Sequence, residues 1–200
     1  MKHINAYFDL RYFIKFLLLF GALYGLNIFI VGITTPGGLY SPFISEHLNY
    51  PIWVRDFIII CSRGLTRLIG YPTEVTTTFG NGDSVALLTG QKVIIGWVCY
   101  GLQIMSFWFA FIMAHISKMN FKNTLIWTFA GLAAICLVNC IRISLLLISL
   151  AKGWKLNEAI NNHDMFTYGS YIVILTMIFI YTKKKKITGS SSSLTVYPAS

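Results

Sequence analysis

The chain reads as an all-α membrane protein, with about four transmembrane helices, one interfacial or re-entrant amphipathic helix and a short extracytoplasmic hairpin. Three observations carry that expectation. Of the 200 residues, 56% are hydrophobic and only 12% are charged, whereas a soluble domain carries about 25% charged residues. The apolar residues gather into windows that approach or exceed the roughly 20 needed to cross a bilayer. The formal charge of +9 stands mainly at the ends of those windows, as the positive-inside rule requires of cytoplasmic flanks. In a soluble protein such charge would point to nucleic acid. Here no soluble segment interleaves basic and aromatic residues, so no nucleic-acid partner is expected. Residues 1–186 are expected to form a single membrane-embedded domain, and the serine-rich 187–200 a disordered cytoplasmic tail.

The first apolar run covers residues 12–34. It is too long for a signal peptide and no small-residue cleavage site follows, so it predicts a retained span. Lys15 lies near its start, where a long side chain can snorkel to the interface. Pro36, Gly37 and Gly38 end it, and residues 36–51, rich in Gly, Pro and Ser, read as a loop. Residues 52–69 are apolar but contain Arg55, Asp56, Arg63 and Arg67. Each charge at mid-membrane costs about 2.5–3.5 kcal/mol on insertion scales. An amphipathic helix lying in the interface, or entering and leaving on one side, fits better than a span.

Residues 71–96 change character. The β-branched run 75–79, a turn signal at Asn81-Gly82-Asp83-Ser84 and the apolar run 85–88 predict a short hairpin. It must lie in water or against protein, because open strand edges do not face lipid. Further spans are predicted over about 94–116, 125–150 and 165–181, separated by polar stretches at 118–123 and 152–164. The lysines at 183–186 put the C-terminus in the cytoplasm. Counting back, 152–164 is outside, 118–123 with its two lysines inside, 35–93 outside, and the N-terminus with Lys2 and Arg11 inside. A fifth span at 52–69 would break this parity.

Four cysteines, at 61, 99, 136 and 140, form neither a CxxC nor a zinc spacing, so no metal and no cofactor are expected. Cys136 and Cys140 share a helix face and read as packed thiols. Three residues collect on the outer side: Cys99 near the outer end of the second span, Arg142 in the outer half of the third, and His163 just before the fourth. An intramembrane arginine cannot shed its charge and is a functional-site signal by default. A thiol attacks a carbonyl as thiolate, so it needs a neighbour that takes its proton or supports its charge. His163 is the candidate base and Arg142 the candidate support for the thiolate or an oxyanion. Asn139, three residues before Arg142 on one helical face, could orient it. The three catalytic side chains are expected within about 3–5 Å of one another.

The order Cys99, then Asn139-Cys140-Ile141-Arg142, then His163, each near the outer end of a membrane helix, resembles the exosortase/archaeosortase family of membrane transpeptidases over about residues 50–180. The chain is similar in length to the compact bacterial members. The family's cysteine commonly stands in Cys-Ser-Gly; here the segment is Cys99-Tyr100-Gly101, which keeps the glycine and not the serine. The resemblance implies Cys99 as nucleophile, Arg142 as its activating cation and His163 as the third catalytic member. It implies a multi-pass protein of the bacterial inner membrane with its active site on the extracytoplasmic side. The partners it implies are a membrane-anchored exported protein with a C-terminal sorting signal and a cell-envelope acceptor nucleophile, with the lipid bilayer around all three. Arg55, Arg63 and Arg67 are candidates to meet an acidic residue of that signal, or lipid headgroups. The alternatives are a non-enzymatic membrane scaffold for envelope protein export and a thiol redox carrier using Cys99, Cys136 or Cys140. A transporter is disfavoured, since inverted halves and paired broken helices are missing from the pattern.

Overall fold

A computed structural model describes residues 10–35, 39–78, 82–87, 92–114, 121–153 and 162–191, with side chains for all of these except 77–78, 82–87, 162–167, 170 and 184–191. The chain is mostly helical: α1 (Leu10–Thr34), α2 (Pro42–His47), α3 (Tyr50–Leu68), β1 (Thr73–Thr78), β2 (Gly82–Leu87), β3 (Lys92–Ile94), α4 (Leu102–Ala114), α5 (Phe121–Ala151) and α6 (Asn162–Ser191). Two of these helices, α1 and α5, are long and apolar enough to cross a membrane; α4 and the Tyr171–Lys183 part of α6 are shorter apolar stretches. The chain divides into two compact units, Met1–Lys155 and Leu156–Ser200.

In the first unit the helix directions follow from the contacts. The indole N–H of Trp108 in α4 donates to the Trp127 carbonyl of α5 at 3.2 Å, while the Asn139 amide of α5 donates to the Cys99 carbonyl, just before α4, at 2.6 Å. Rising numbers on one helix meet falling numbers on the other, so α4 and α5 are antiparallel. A β-carbon at Gly131 would lie inside the Trp108 indole, so the absence of a side chain there is what lets these helices close up. Against α1, Phe107 packs edge-on to Phe16 and Phe20 at 5.2 and 5.8 Å, and Gln103 donates to the Tyr24 hydroxyl at 3.3 Å, again antiparallel.

Helix α3 runs the other way, parallel to α5. The Cys140 thiol meets the Ile58 carbonyl at 4.0 Å, the Ser144 hydroxyl donates to the Ser62 carbonyl at 3.2 Å, and the Lys152 ammonium lies 5.9 Å from the Tyr71 ring centre. Small residues at 62, 140 and 144 permit this close approach, and their polar atoms bond to backbone carbonyls across the seam. Helix α3 starts beside the last third of α1, where the Tyr50 hydroxyl donates to the Asn27 side-chain carbonyl and the Asn27 amide donates to Ser106 at 2.7 Å. Between Thr34 and Tyr50 the chain therefore falls back by seven residues of α1, about 10 Å at 1.5 Å per residue.

Four local expectations are corrected. The 36–51 loop contains a short helix, α2, which begins with Pro42 at a position where its missing N–H costs nothing. The hairpin is the first part of a three-stranded antiparallel sheet in the order β1-β2-β3, with Val75 opposite Val85 and Val85 opposite Val93. Its third strand occupies the expected start of the second span. That span begins only at Leu102, because Gly96 is extended and Gly101 is left-handed (φ +75°), and a continuous helix cannot pass through either. The chain from 187 to 191, expected in the tail, continues α6 through the lysine run to Ser191. The expected breaks at 36–38 and 115–120, the turn tip at 79–81, most of the 152–164 stretch and the tail beyond 191 lie outside the described residues.

The buried core of the first unit sits where α3, β3 and α5 meet. Ile58, Ile59, Val93, Ile95, Tyr100, Leu102, Ile143 and Leu147 fill it, with Cys99 packed on its edge. The sheet thus anchors the segment that carries Cys99.

Candidate functional site

Cys99 lies in a single 3-10 turn, Trp97–Tyr100, between β3 and α4. Two glycines make the turn. Gly96 enters it extended, and its carbonyl accepts from the Cys99 N–H at 2.8 Å. Gly101 leaves it in the left-handed region, and its carbonyl accepts from the Met105 N–H at 3.0 Å, starting α4. Only glycine adopts that φ without strain, and a β-carbon there would also come within 3.3 Å of the Asn139 amide nitrogen. The turn replaces the end of a regular helix that the sequence pattern predicts for Cys99. Trp97 and Val98 face outward, while Tyr100 is buried and Cys99 is half-buried.

Helix α5 supplies the other side. Asn139 is 6% exposed, and its amide is spent on the Cys99 carbonyl. Arg142 follows one turn later on the same face and is half-buried; its Nη2 donates to the Cys99 sulfur at 3.6 Å. Two residues three apart on one helix therefore grip one turn, the first through its backbone and the second through its thiol. This puts a permanent positive charge where an anion forming at or next to the sulfur would meet it. A guanidinium half-removed from water acts in a lower effective dielectric, which strengthens its effect on nearby charge.

The sequence-predicted residues divide in three ways. Cys99, Arg142 and Asn139 are brought together. His163 is the second residue of α6 and belongs to the other compact unit; its side chain lies outside the described residues. The three arginines of α3 do not act alike. Arg55 is paired with its neighbour Asp56 at 2.9 Å and its side chain is 14% exposed, whereas Arg63 and Arg67 lie on the exposed face. Among the described residues no group of three or more His, Cys, Asp or Glu side chains could hold a metal ion.

Sequence reasoning missed two contributors. Gly101 stands in the quoted Cys-Tyr-Gly segment, but its role as the left-handed residue that aims the turn needs φ to be seen. The second is Cys61, for which the spacing suggests no role; it lies on α3 close to Cys136 and Cys140 of α5. No family model, curated protein or solved structure matches this chain.

Proposed function

We propose that the chain is a membrane-embedded cysteine peptidase or transpeptidase of the exosortase-like kind, which cleaves C-terminal sorting signals of exported proteins and passes them to a cell-envelope acceptor. The observation that carries this reading is the 3.6 Å contact from Arg142 to the Cys99 sulfur, with Asn139 holding the same turn at 2.6 Å. An ionisable residue within an apolar helix is a functional-site signal by default, and this one meets the thiol.

The chemistry runs in two displacements. The Cys99 sulfur attacks the scissile carbonyl carbon, a C–S bond forms, and the C–N bond breaks as the leaving amine takes a proton. An amine or water then attacks the thioester, giving up a proton as the C–S bond breaks. Arg142 supports the negative charge of each tetrahedral stage. The resemblance to the family assigns the proton transfers to His163. Holding a membrane-anchored substrate at fixed depth replaces part of the entropy cost of bringing it to the thiol.

Four spans fit this arrangement. With α1 and α5 long enough to cross, the shorter antiparallel α4 packed between them is read as the return span, and the apolar Tyr171–Lys183 part of α6 as the fourth, ending on a cytoplasmic lysine run. Helix α3, entering to the level of Asn27 and leaving parallel to α5, is then re-entrant and keeps the parity. The sheet and the Cys99 turn share the extracytoplasmic side in the inner membrane of a bacterium. The test is expression of Cys99→Ala and Cys99→Ser with immunoblotting of candidate anchored substrates. Loss of processing in both is expected; undiminished processing in Cys99→Ala would sink the enzyme reading and favour a scaffold.

A further inference from the structure

The outward face of α3 has an order along its length. Trp53, Phe57 and Ile60 are exposed by 63, 51 and 66%. One turn further on, Arg63 and Arg67 are exposed, four residues apart on adjoining turns. The opposite face, with Ile58, Ile59, Ser62 and Thr66, is buried against the unit. The apolar half of the outward face begins near the level of Asn27, and the cationic half lies beside the last turns of α5, as the Ser62–Ser144 and Tyr71–Lys152 contacts fix. Among the described residues neither Arg63 nor Arg67 meets a carboxylate, in contrast to Arg55.

From these placements we propose that the outward face of α3 is a binding site for one anionic phospholipid, its phosphate held between Arg63 and Arg67 and its acyl chains lying on Ile60, Phe57 and Trp53. This rests on the membrane placement given above and not on the peptidase chemistry. The dimensions match. Ten residues separate Phe57 from Arg67, about 15 Å of helical rise, which is half of the roughly 30 Å hydrocarbon core. Guanidinium groups spaced by one helical turn can each give a fork of donors to a single phosphate. A lipid anion suits the site better than a free one, because the apolar residues below the arginines would otherwise face solvent or uncommitted lipid. Bound there, the lipid would cover the side of α3 turned away from the core that anchors the Cys99 turn.

The experiment uses the full chain in nanodiscs of equal phosphatidylcholine and phosphatidylglycerol, with native mass spectrometry of the lipids that remain bound on release. Wild type is expected to retain phosphatidylglycerol over phosphatidylcholine by about thirtyfold, since each of the two arginines near a membrane surface contributes on the order of 1 kcal/mol to anionic lipid binding. The variant Arg63→Gln/Arg67→Gln is expected to lose that preference. A charge-matched control, Lys122→Gln/Lys183→Gln, is expected to keep it, and excess glycerol phosphate is expected not to displace the lipid. Equal loss in both double variants, or displacement by glycerol phosphate, overturns the site. Unchanged lipid preference in Arg63→Gln/Arg67→Gln alongside lost substrate processing also overturns it, and assigns the pair to substrate instead. Release of the chain from membranes by alkaline carbonate overturns the membrane placement together with the site. Integration without any phosphatidylglycerol preference overturns the site alone.

Discussion

Two cysteines stand at nearly one level of α5, Cys140 on the helix itself and Cys99 facing it, and their surroundings differ. Cys140 is 1% exposed, its thiol faces the Ile58 carbonyl, and its neighbours are Cys61, Ser62 and Ser144. It behaves as a small packing residue in a seam where two parallel helices touch. Cys99 sits less than one helical turn from the level of Cys140 along α5, yet its surroundings are opposite. It is half-buried on a turn shaped by two glycines, and it faces a guanidinium. Residue type and depth are shared; the neighbours differ. A thiol acquires a reactive setting from the charge and access around it, and among the described cysteines that setting belongs to Cys99.

The sharpest way to break the contrast is paired replacement. Cys99→Ala should abolish substrate processing, while Cys140→Ala should leave processing in place. Equal loss in the two, read by immunoblotting, would erase the distinction. Next in size is Arg142→Ala, expected to slow processing by about 10²-fold or more, the scale of losing one preorganised charge-stabilising donor. Arg142→Lys should recover only part, since a point charge does not reproduce the planar fork.

Thiol accessibility gives a smaller, direct measure. Iodoacetamide on the native chain, followed by mass spectrometry of peptides, should label Cys99 at least about tenfold faster than Cys140, because only the former combines exposure with a cationic neighbour. Asn139→Ala removes the buried donor from the Cys99 carbonyl and should destabilise the fold by about 1–3 kcal/mol, with processing falling more than stability explains. Gly101→Ala has a similar cost in stability and the smallest expected effect on chemistry. It should cost about 1–3 kcal/mol of backbone strain and shift the turn, seen as slower Cys99 labelling at an unchanged Cys140 rate.

Legibility differed between elements for physical reasons. Helices α1 and α5 follow from composition, because a long run of apolar residues with few charges is a local property of the sequence. The helix over 50–68 and the first two strands follow equally well from periodicity and turn residues. The start of α4 did not, since residues 94–101 are as apolar as the helix they precede, and only the left-handed Gly101 and the pairing of β3 with β2 remove them from it. The pairing of Cys99 with Arg142 was legible as a chemical set, because an arginine in an apolar helix has few other uses.

By itself, the sequence determined a helical chain rich in apolar windows, the gathering of basic residues at the ends of those windows, and the candidate set Cys99, Arg142 and His163 with Asn139 in support. The tertiary structure decided the parallel course of α3 beside α5, the sealing of Cys140, the pairing of Arg55 with Asp56, and the delivery of Cys99 by a glycine-bounded turn. The division has one cause. Hydropathy and charge act residue by residue and can be summed along a chain, whereas helix direction, burial and hydrogen-bond partners depend on which distant segments meet.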